Sequence, residues 1–269
     1  MTSGKWMVVV NPNAGHGKGH QDWKIISDLL NKHGIDYNFC FTQRRHHAIE
    51  LTLSAVKLGF RNFIGVGGDG TMNEIINGIF GQIGIPTGDI TIAMIPVGTG
   101  NDWGRLFGLL GDYKGAVEAI SRGTTTLHDA GLIWYYSGAE RNKRYFINIA
   151  GLGFDAQVVR RTNLQKDNGH GGKAIYMLNL LRSMLSYKGT TTEVEIDGEM
   201  IINDTFTISL GIGKYSGGGM MQTPNAVYND GLFDVTIIQK MNKGKIIWNL
   251  KRLYNGSLYN HPNIKWHRG

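Results

Sequence analysis

The first 125 residues alternate between short apolar runs and helical periods. Trp6-Met7-Val8-Val9-Val10 is an unbroken apolar run, as a strand buried on both faces requires, and it ends in the turn cluster Asn11-Pro12-Asn13-Ala14-Gly15. Trp23, Ile26, Leu29 and Leu30 then recur at helical spacing, with Gly34 as the stop. Tyr37–Phe41 reads as a second strand and residues 47–58 as a second helix closed by Gly59. Phe63-Ile64-Gly65-Val66 is a third strand, Asn73–Phe80 a third helix and Ile90–Ile95 a fourth strand. This alternation predicts βαβ units on a parallel sheet.

Near residue 124 the rhythm changes. Thr192, Val194 and Ile196 alternate with Glu193, Glu195 and Asp197; Phe206, Ile208, Leu210 and Ile212 alternate with Thr207, Ser209 and Gly211. Period two with one polar face predicts half-buried antiparallel strands. Helices are expected at Ala174–Tyr187 and Ile246–Leu253. The expected organisation is an α/β domain with a parallel sheet over 1–125, then a β-rich, sandwich-like domain over 126–269.

Composition sharpens this. At 269 residues and 41% hydrophobic the chain is long and apolar enough for two cores. No run approaches the ~18 apolar residues of a membrane span. No signal peptide is read at the N-terminus, and the single cysteine, Cys40, excludes an intrachain disulfide and fits a reducing compartment as a small strand hydrophobe. The formal net charge is +7. From Val235 onward there is no Asp or Glu but seven cations: Lys240, Lys243, Lys245, Lys251, Lys265, Arg252 and Arg268. Such an end is either a solvated helix face or a surface for polyanions.

Three turns carry the candidate chemistry. Gly65-Val66-Gly67-Gly68-Asp69-Gly70-Thr71 matches G-x-G-x-x-G formally, but it follows the third strand and holds an acid that would repel a pyrophosphate unless a cation lies between. Asp69 therefore points to Mg²⁺ bound with nucleotide phosphates. Pro96-Val97-Gly98-Thr99-Gly100-Asn101-Asp102 also follows a strand, and ligands of open α/β sheets bind beyond the carboxyl ends of strands. The turns at 11–15, 67–71 and 98–102 should thus converge on one crevice. Arg105 has two readings, a phosphate clamp or a partner for Asp102, and Lys18 is within reach of a phosphate. His46 and His47 lack metal spacing and read as surface residues. Later, Gly217-Gly218-Gly219-Met220 and Asn229-Asp230-Gly231 are turns, where a carboxylate amid backbone carbonyls suits a hard cation.

Taken together, Asn11-Pro12-x-Ala14-Gly15, Gly67-Gly68-Asp69-Gly70-Thr71-x-Asn73-Glu74 and Pro96-x-Gly98-Thr99-Gly100-Asn101-Asp102 with Arg105 resemble the diacylglycerol kinase catalytic domain, and most of all its soluble bacterial lipid kinases. The glycine triplet and the Asp-Gly-Leu turn resemble that family's C-terminal domain, so the likeness runs over nearly the whole chain. It implies ATP- and Mg²⁺-dependent transfer of a γ-phosphoryl group to a lipid hydroxyl. By the motifs, Asn11, Pro12, Asn13, Ala14, Gly15, Thr42, Gly67, Gly68, Asp69, Gly70, Thr71, Asn73, Glu74, Thr99 and Arg105 would line the nucleotide site. Asp69, Asn101 and Asp102 would face the reacting phosphates. A structural Mg²⁺ would sit at Asp230 with the backbone carbonyls of Val227 and Leu232.

The resemblance also implies a cytoplasmic enzyme held peripherally on anionic lipid, the basic end supplying about 1 kcal/mol per cation. No nucleic-acid signature accompanies the charge, and a homodimer is one candidate assembly. The family's general base, a Glu in Asp-Gly-Glu, belongs near its C-terminus. It is expected beyond Gly269, so that the 269-residue chain turns over weakly or not at all; Asp197-Gly198-Glu199 reads as an ordinary hairpin. Two other readings remain: an NAD kinase-like enzyme with a soluble acceptor, which shares the Gly-Gly-Asp-Gly loop, and a nucleotide or lipid binder without catalysis.

Overall fold

The computed structural model describes residues 4–167, 178, 180, 182–184 and 186–269, and the chain forms two compact units, Met1–Ile147 and Asn148–Gly269. The helix expected at Ala174–Tyr187 lies largely outside the described residues.

The first unit is built on four parallel strands: β1 (Trp6–Val10), β2 (Tyr37–Phe41), β3 (Asn62–Gly67) and β4 (Thr91–Pro96), in spatial order β2-β1-β3-β4. Alternate residues of each strand serve opposite layers. Met7, Val9 and Phe63 pack with Ala48, Ala55, Met72 and Ile75 of helices α3 (His47–Lys57) and α4 (Asp69–Gly81). Val8, Val10, Ile64 and Val66 pack with Ile26 and Leu30 of α2 (Trp23–Lys32) and with Ala116 and Val117 of α6 (Tyr113–Arg122). Burial on both faces is why β1 and β3 read as apolar runs. Gly78 lets α3 and α4 touch: a Cβ there would lie 2.6 Å from Thr52 Cβ and 2.8 Å from the Ile49 carbonyl oxygen.

Two short helices complete the site side of this unit, α1 (Ala14–Gln21) and α5 (Asp102–Leu106). A hairpin of β5 (Gly131–Ser137) and β6 (Glu140–Phe146) also belongs to it. The units therefore divide at Ile147/Asn148, past the expected 125/126, because the hairpin is bonded to α4: Asn77 Nδ2 donates to the Tyr145 carbonyl (2.9 Å) and the Tyr145 N–H to Asn77 Oδ1 (3.0 Å).

The second unit is an antiparallel sheet of β7 (Ile149–Gly153), β8 (Thr190–Ile196), β9 (Glu199–Gly211), β12 (Asp234–Gln239) and β13 (Ile264–Arg268), with β9 at its centre and a small ribbon of β10 (Tyr215–Ser216) and β11 (Met220–Met221). Asp197 (φ 49°) and Gly198 (φ 87°) form the two-residue turn between β8 and β9, as Asp-Gly favours. β8 has the expected half-buried alternation, but the later half of β9 does not: Thr205, Thr207 and Ser209 are buried along with Phe206 and Ile208. Two helices went unanticipated, α6 and α7 (Phe154–Asp167), and the late helical stretch is two short pieces, α8 (Lys243–Asn249) and α9 (Arg252–Asn255).

Candidate functional site

The chain runs from β1 out to β2 on one side and from β2 back across to β3 on the other, so the carboxyl ends of β1 and β3 flank the point where strand order reverses, the usual ligand crevice of such sheets. The register aligns Val10 with Val66, and Gly67 with Pro96, so the expected turns leave the sheet side by side. They are bonded to one another. Asn11 Nδ2 donates to Thr71 Oγ1 (3.2 Å), the Asn11 N–H to the Val66 carbonyl (2.9 Å), and the Val97 and Gly98 N–H groups to the Gly67 carbonyl (2.8 and 3.1 Å). Thr42 joins through its N–H to the Val10 carbonyl (2.8 Å).

Glycine is required where loops meet backbone to backbone. A Cβ on Gly98 would lie 2.6 Å from Gly68 Cα, and one on Gly15 would overlap the Val97 carbonyl oxygen. Gly15 (φ 60°), His16 (φ 64°) and Gly17 (φ 90°) are three left-handed residues in succession, which turn the chain sharply inside α1. The helix expected from Asn73 begins at Asp69, so the glycine-rich loop is the helix N-terminus itself. Gly68 caps it without a side chain, leaving first-turn N–H groups for an anion.

Asp69 has a role in the fold as well as a position for chemistry. Its Oδ1 accepts the Trp103 N–H (2.8 Å), closing the first turn of α5. Trp103, buried, donates Nε1–H to His128 Nε2 (3.1 Å), and burial holds the His128 imidazole below its ordinary pKa, in the neutral form that accepts this bond. Asn101 sits in a left-handed conformation (φ 52°), donates Nδ2–H to the Gly98 carbonyl (2.8 Å), and presents a buried Oδ1 without a hydrogen bond beside the Gly68–Gly98 contact. Asp102 is buried next to it, and Arg105 Nε lies 3.7 Å from Asp102 Oδ1, an ion pair within the first turns of α5.

Not every expected residue joins this cluster. Asn73 Oδ1 accepts from Arg144 Nε (3.0 Å) and Nη2 (2.7 Å) while its Nδ2 donates to the Tyr145 carbonyl (3.0 Å), so its amide holds the β5–β6 hairpin. Glu74 accepts the His46 and Ala48 N–H groups (3.0 and 3.2 Å) and caps α3. Thr99 is exposed on its loop, as is Asn13, whose N–H is taken by Asn11 Oδ1 (3.1 Å).

At the expected cation site of Val227, Asp230 and Leu232 the acid has partners within the chain. Asp230 Oδ1 accepts the Leu232 N–H (3.1 Å) and Oδ2 accepts from Arg268 Nη2, whose Nε lies 3.4 Å from the buried carboxylate of Asp234. A guanidinium thus lies against both acids. Among the described residues no group of three or more His, Cys, Asp or Glu forms a metal cluster.

The second unit holds a pocket that sequence reasoning missed. Its lining is apolar, including Phe154, Leu180, Met184, Phe206, Ile246 and Leu253, with Asp155 as the acid among them. Asp155 Oδ2 accepts from Gln222 Nε2 (2.8 Å) and Ser209 Oγ (3.3 Å). Desolvation pushes its carboxyl above the ordinary aspartate range, against those bonds. The sequence signal was Gly151-Leu152-Gly153-Phe154-Asp155, an acid on the turn from a strand into a helix.

Residues 5–133 match the family model described as the diacylglycerol kinase catalytic domain, and residues 148–269 that of the YegS C-terminal NAD kinase beta sandwich-like domain. The first unit carries a diacylglycerol kinase catalytic domain. With that domain the chain is a kinase. It is similar to a diacylglycerol kinase of Mycobacterium tuberculosis, 29% identical over 94% of this chain and 79% of the relative, and to one of Staphylococcus haemolyticus, 28% identical over 96% and 74%. In fold it resembles the crystal structure of a diacylglycerol kinase from Bacillus anthracis, with a TM-score of 0.73 at 24% identity over 98% of this chain and 83% of that one. Among the described residues no helix is long and apolar enough to cross a membrane.

Proposed function

We propose that this chain transfers the γ-phosphoryl group of MgATP to the hydroxyl of a diacylglycerol-type lipid, acting as a peripheral cytoplasmic enzyme on anionic bilayers. The observation that carries the reading is the contact of three glycine-bearing loops at the strand-order reversal, with Asp69, Asn101 and the α4 N-terminus gathered there. The N-terminus of α4 and the turn at 11–15 receive the phosphates. Asp69, with one oxygen committed to Trp103, offers the other to the Mg²⁺ that accompanies the nucleotide, and the orphan Oδ1 of Asn101 offers a further acceptor. Phosphoryl transfer needs little covalent chemistry from the protein; positioning and charge neutralisation supply most of the rate. The apolar pocket of the second unit supports a lipid acceptor over a soluble one, since its lining would bury an acyl chain and Asp155 is the acid beside it.

The test is ADP release and calorimetric MgATP binding, with diacylglycerol in mixed micelles and NAD as rival acceptors. Asp69→Asn keeps the oxygen that caps α5 while removing the charge. It is expected to leave thermal stability within about 1 kcal/mol of the parent and to lower ADP release at least ~10²-fold. ADP release with NAD and none with lipid would replace this reading with the soluble-acceptor one; full activity in Asp69→Asn would remove Asp69 from the mechanism.

A further inference from the structure

The β5–β6 hairpin presents a face that nothing in the kinase reading uses. Antiparallel register pairs Leu132 with Tyr145, Trp134 with Lys143 and Tyr136 with Arg141, so these six side chains share one side of the ribbon. At the base, Tyr145 stacks on Phe80 of α4 at 4.5 Å. Beyond it the face is open: Leu132 is 39%, Trp134 50% and Tyr136 71% exposed. The Arg141 guanidinium lies 4.3 Å from the centre of the Trp134 ring, and Lys143 Nζ 5.7 Å from it. On the opposite side, Arg144 is bound to Asn73, and Gly131 and Phe146 are buried. Across both strands Arg141, Lys143 and Arg144 face a single acid, Glu140. The hairpin is thus clamped at one end and on one side, and carries aromatics and cations together on the other.

We propose that this face docks the protein onto an anionic lipid bilayer, with Trp134, Tyr136 and Leu132 entering the headgroup region and Arg141 and Lys143 pairing with lipid phosphates. This deepens the lipid-kinase reading and rests on it. Trp and Tyr favour the membrane–water boundary because one end of the ring is apolar and the other hydrogen-bonds, and cations between them suit anionic headgroups. Interfaces between protein copies, by contrast, deplete Lys from their centre, where Lys143 stands here. The cations are already placed over the Trp134 ring, so little side-chain freedom is lost on docking.

The test is sedimentation of the full chain with vesicles of phosphatidylcholine, alone or mixed with phosphatidylglycerol. Parent protein is expected on the mixed vesicles. Arg141→Gln with Lys143→Gln should weaken that binding about 25-fold, at roughly five-fold per cation, and Trp134→Ala with Tyr136→Ala at least about five-fold. Both variants change exposed residues, so circular dichroism should match the parent, and MgATP binding in calorimetry should be retained. Unchanged vesicle binding in both variants overturns the proposal, as does a parent that binds no vesicle. So does binding by the face of a single-stranded oligonucleotide in place of vesicles, or a dimer in light scattering that both variants abolish while vesicle binding stays as in the parent. A parent that binds no MgATP in calorimetry defeats the kinase reading while leaving the vesicle result to be judged alone.

Discussion

Asp155 makes stability depend on pH in the direction opposite to a salt-bridged aspartate. An unfolded aspartate releases its proton near pH ~3.9, whereas burial in the pocket raises the folded value. Between the two, the folded chain holds a proton that the unfolded chain has lost, so the stability this group contributes at low pH drains away as pH rises through that window. Asp155→Asn keeps an oxygen for Gln222 and has nothing to titrate. Its urea midpoint should gain on the parent's as pH rises from about 4 to neutrality; a constant difference would show that the carboxyl ionises normally. His128 has the opposite sign, since its lowered folded value costs stability as pH falls below the imidazole's ordinary pKa. Asp69 and Asn101 were legible in the sequence because glycines surround them. Asn73 and Glu74 sit in the same motif, but a carboxamide or carboxylate does not say whether its partner is a ligand or, as for Asn73, a strand about seventy residues on. Asp155 was missed because Ser209 and Gln222 reach it only through the fold.

At the scale of elements, the loops and the hairpin are separable. Gly98→Ala places a methyl against Gly68 Cα and should cost ~1–3 kcal/mol, with MgATP binding in calorimetry weakened at least ten-fold as the loops part. Asn73→Ala removes the bidentate contact to Arg144 and the bond to Tyr145, for ~1–3 kcal/mol; hydrogen exchange should quicken in β5 and β6 while β1 and β3 stay protected. Strands β1 and β3 were legible because burial on both faces demands uninterrupted apolar runs. β9 was not, because its buried polar face, with Thr207 Oγ1 donating to the Leu152 carbonyl (2.9 Å), has the alternation of a solvated strand. α6 buries only Ala116 and Val117, too few large residues to stand out.

At the scale of the molecule, each unit has cores of its own. The two clusters on either side of the parallel sheet lie within residues 1–147, and those built on Phe154, Phe206 and Ile237 lie within 148–269. A fragment of residues 1–147 should therefore melt cooperatively by circular dichroism and retain MgATP binding, whereas a fragment ending at 125 would lose the hairpin that Asn73 and Asn77 hold and should be less stable. The change of rhythm near residue 124 marked a real change of architecture, from parallel to antiparallel strands, but not the boundary. β5 and β6 are antiparallel yet belong to the first unit because α4 supplies their partners.

Asp69 accepts the Trp103 N–H in the first turn of α5 with one oxygen. Folding alone therefore favours a short acceptor side chain at this position. A descendant that had ceased to phosphorylate anything would still tolerate Asp or Asn there better than Ala, and Glu, one methylene longer, would disturb the cap. Under the proposed phosphoryl transfer the charge, and not the residue's mere retention, separates a working kinase from its silent copy, so an Asp-to-Asn exchange at this one position would silence the chain while sparing its fold.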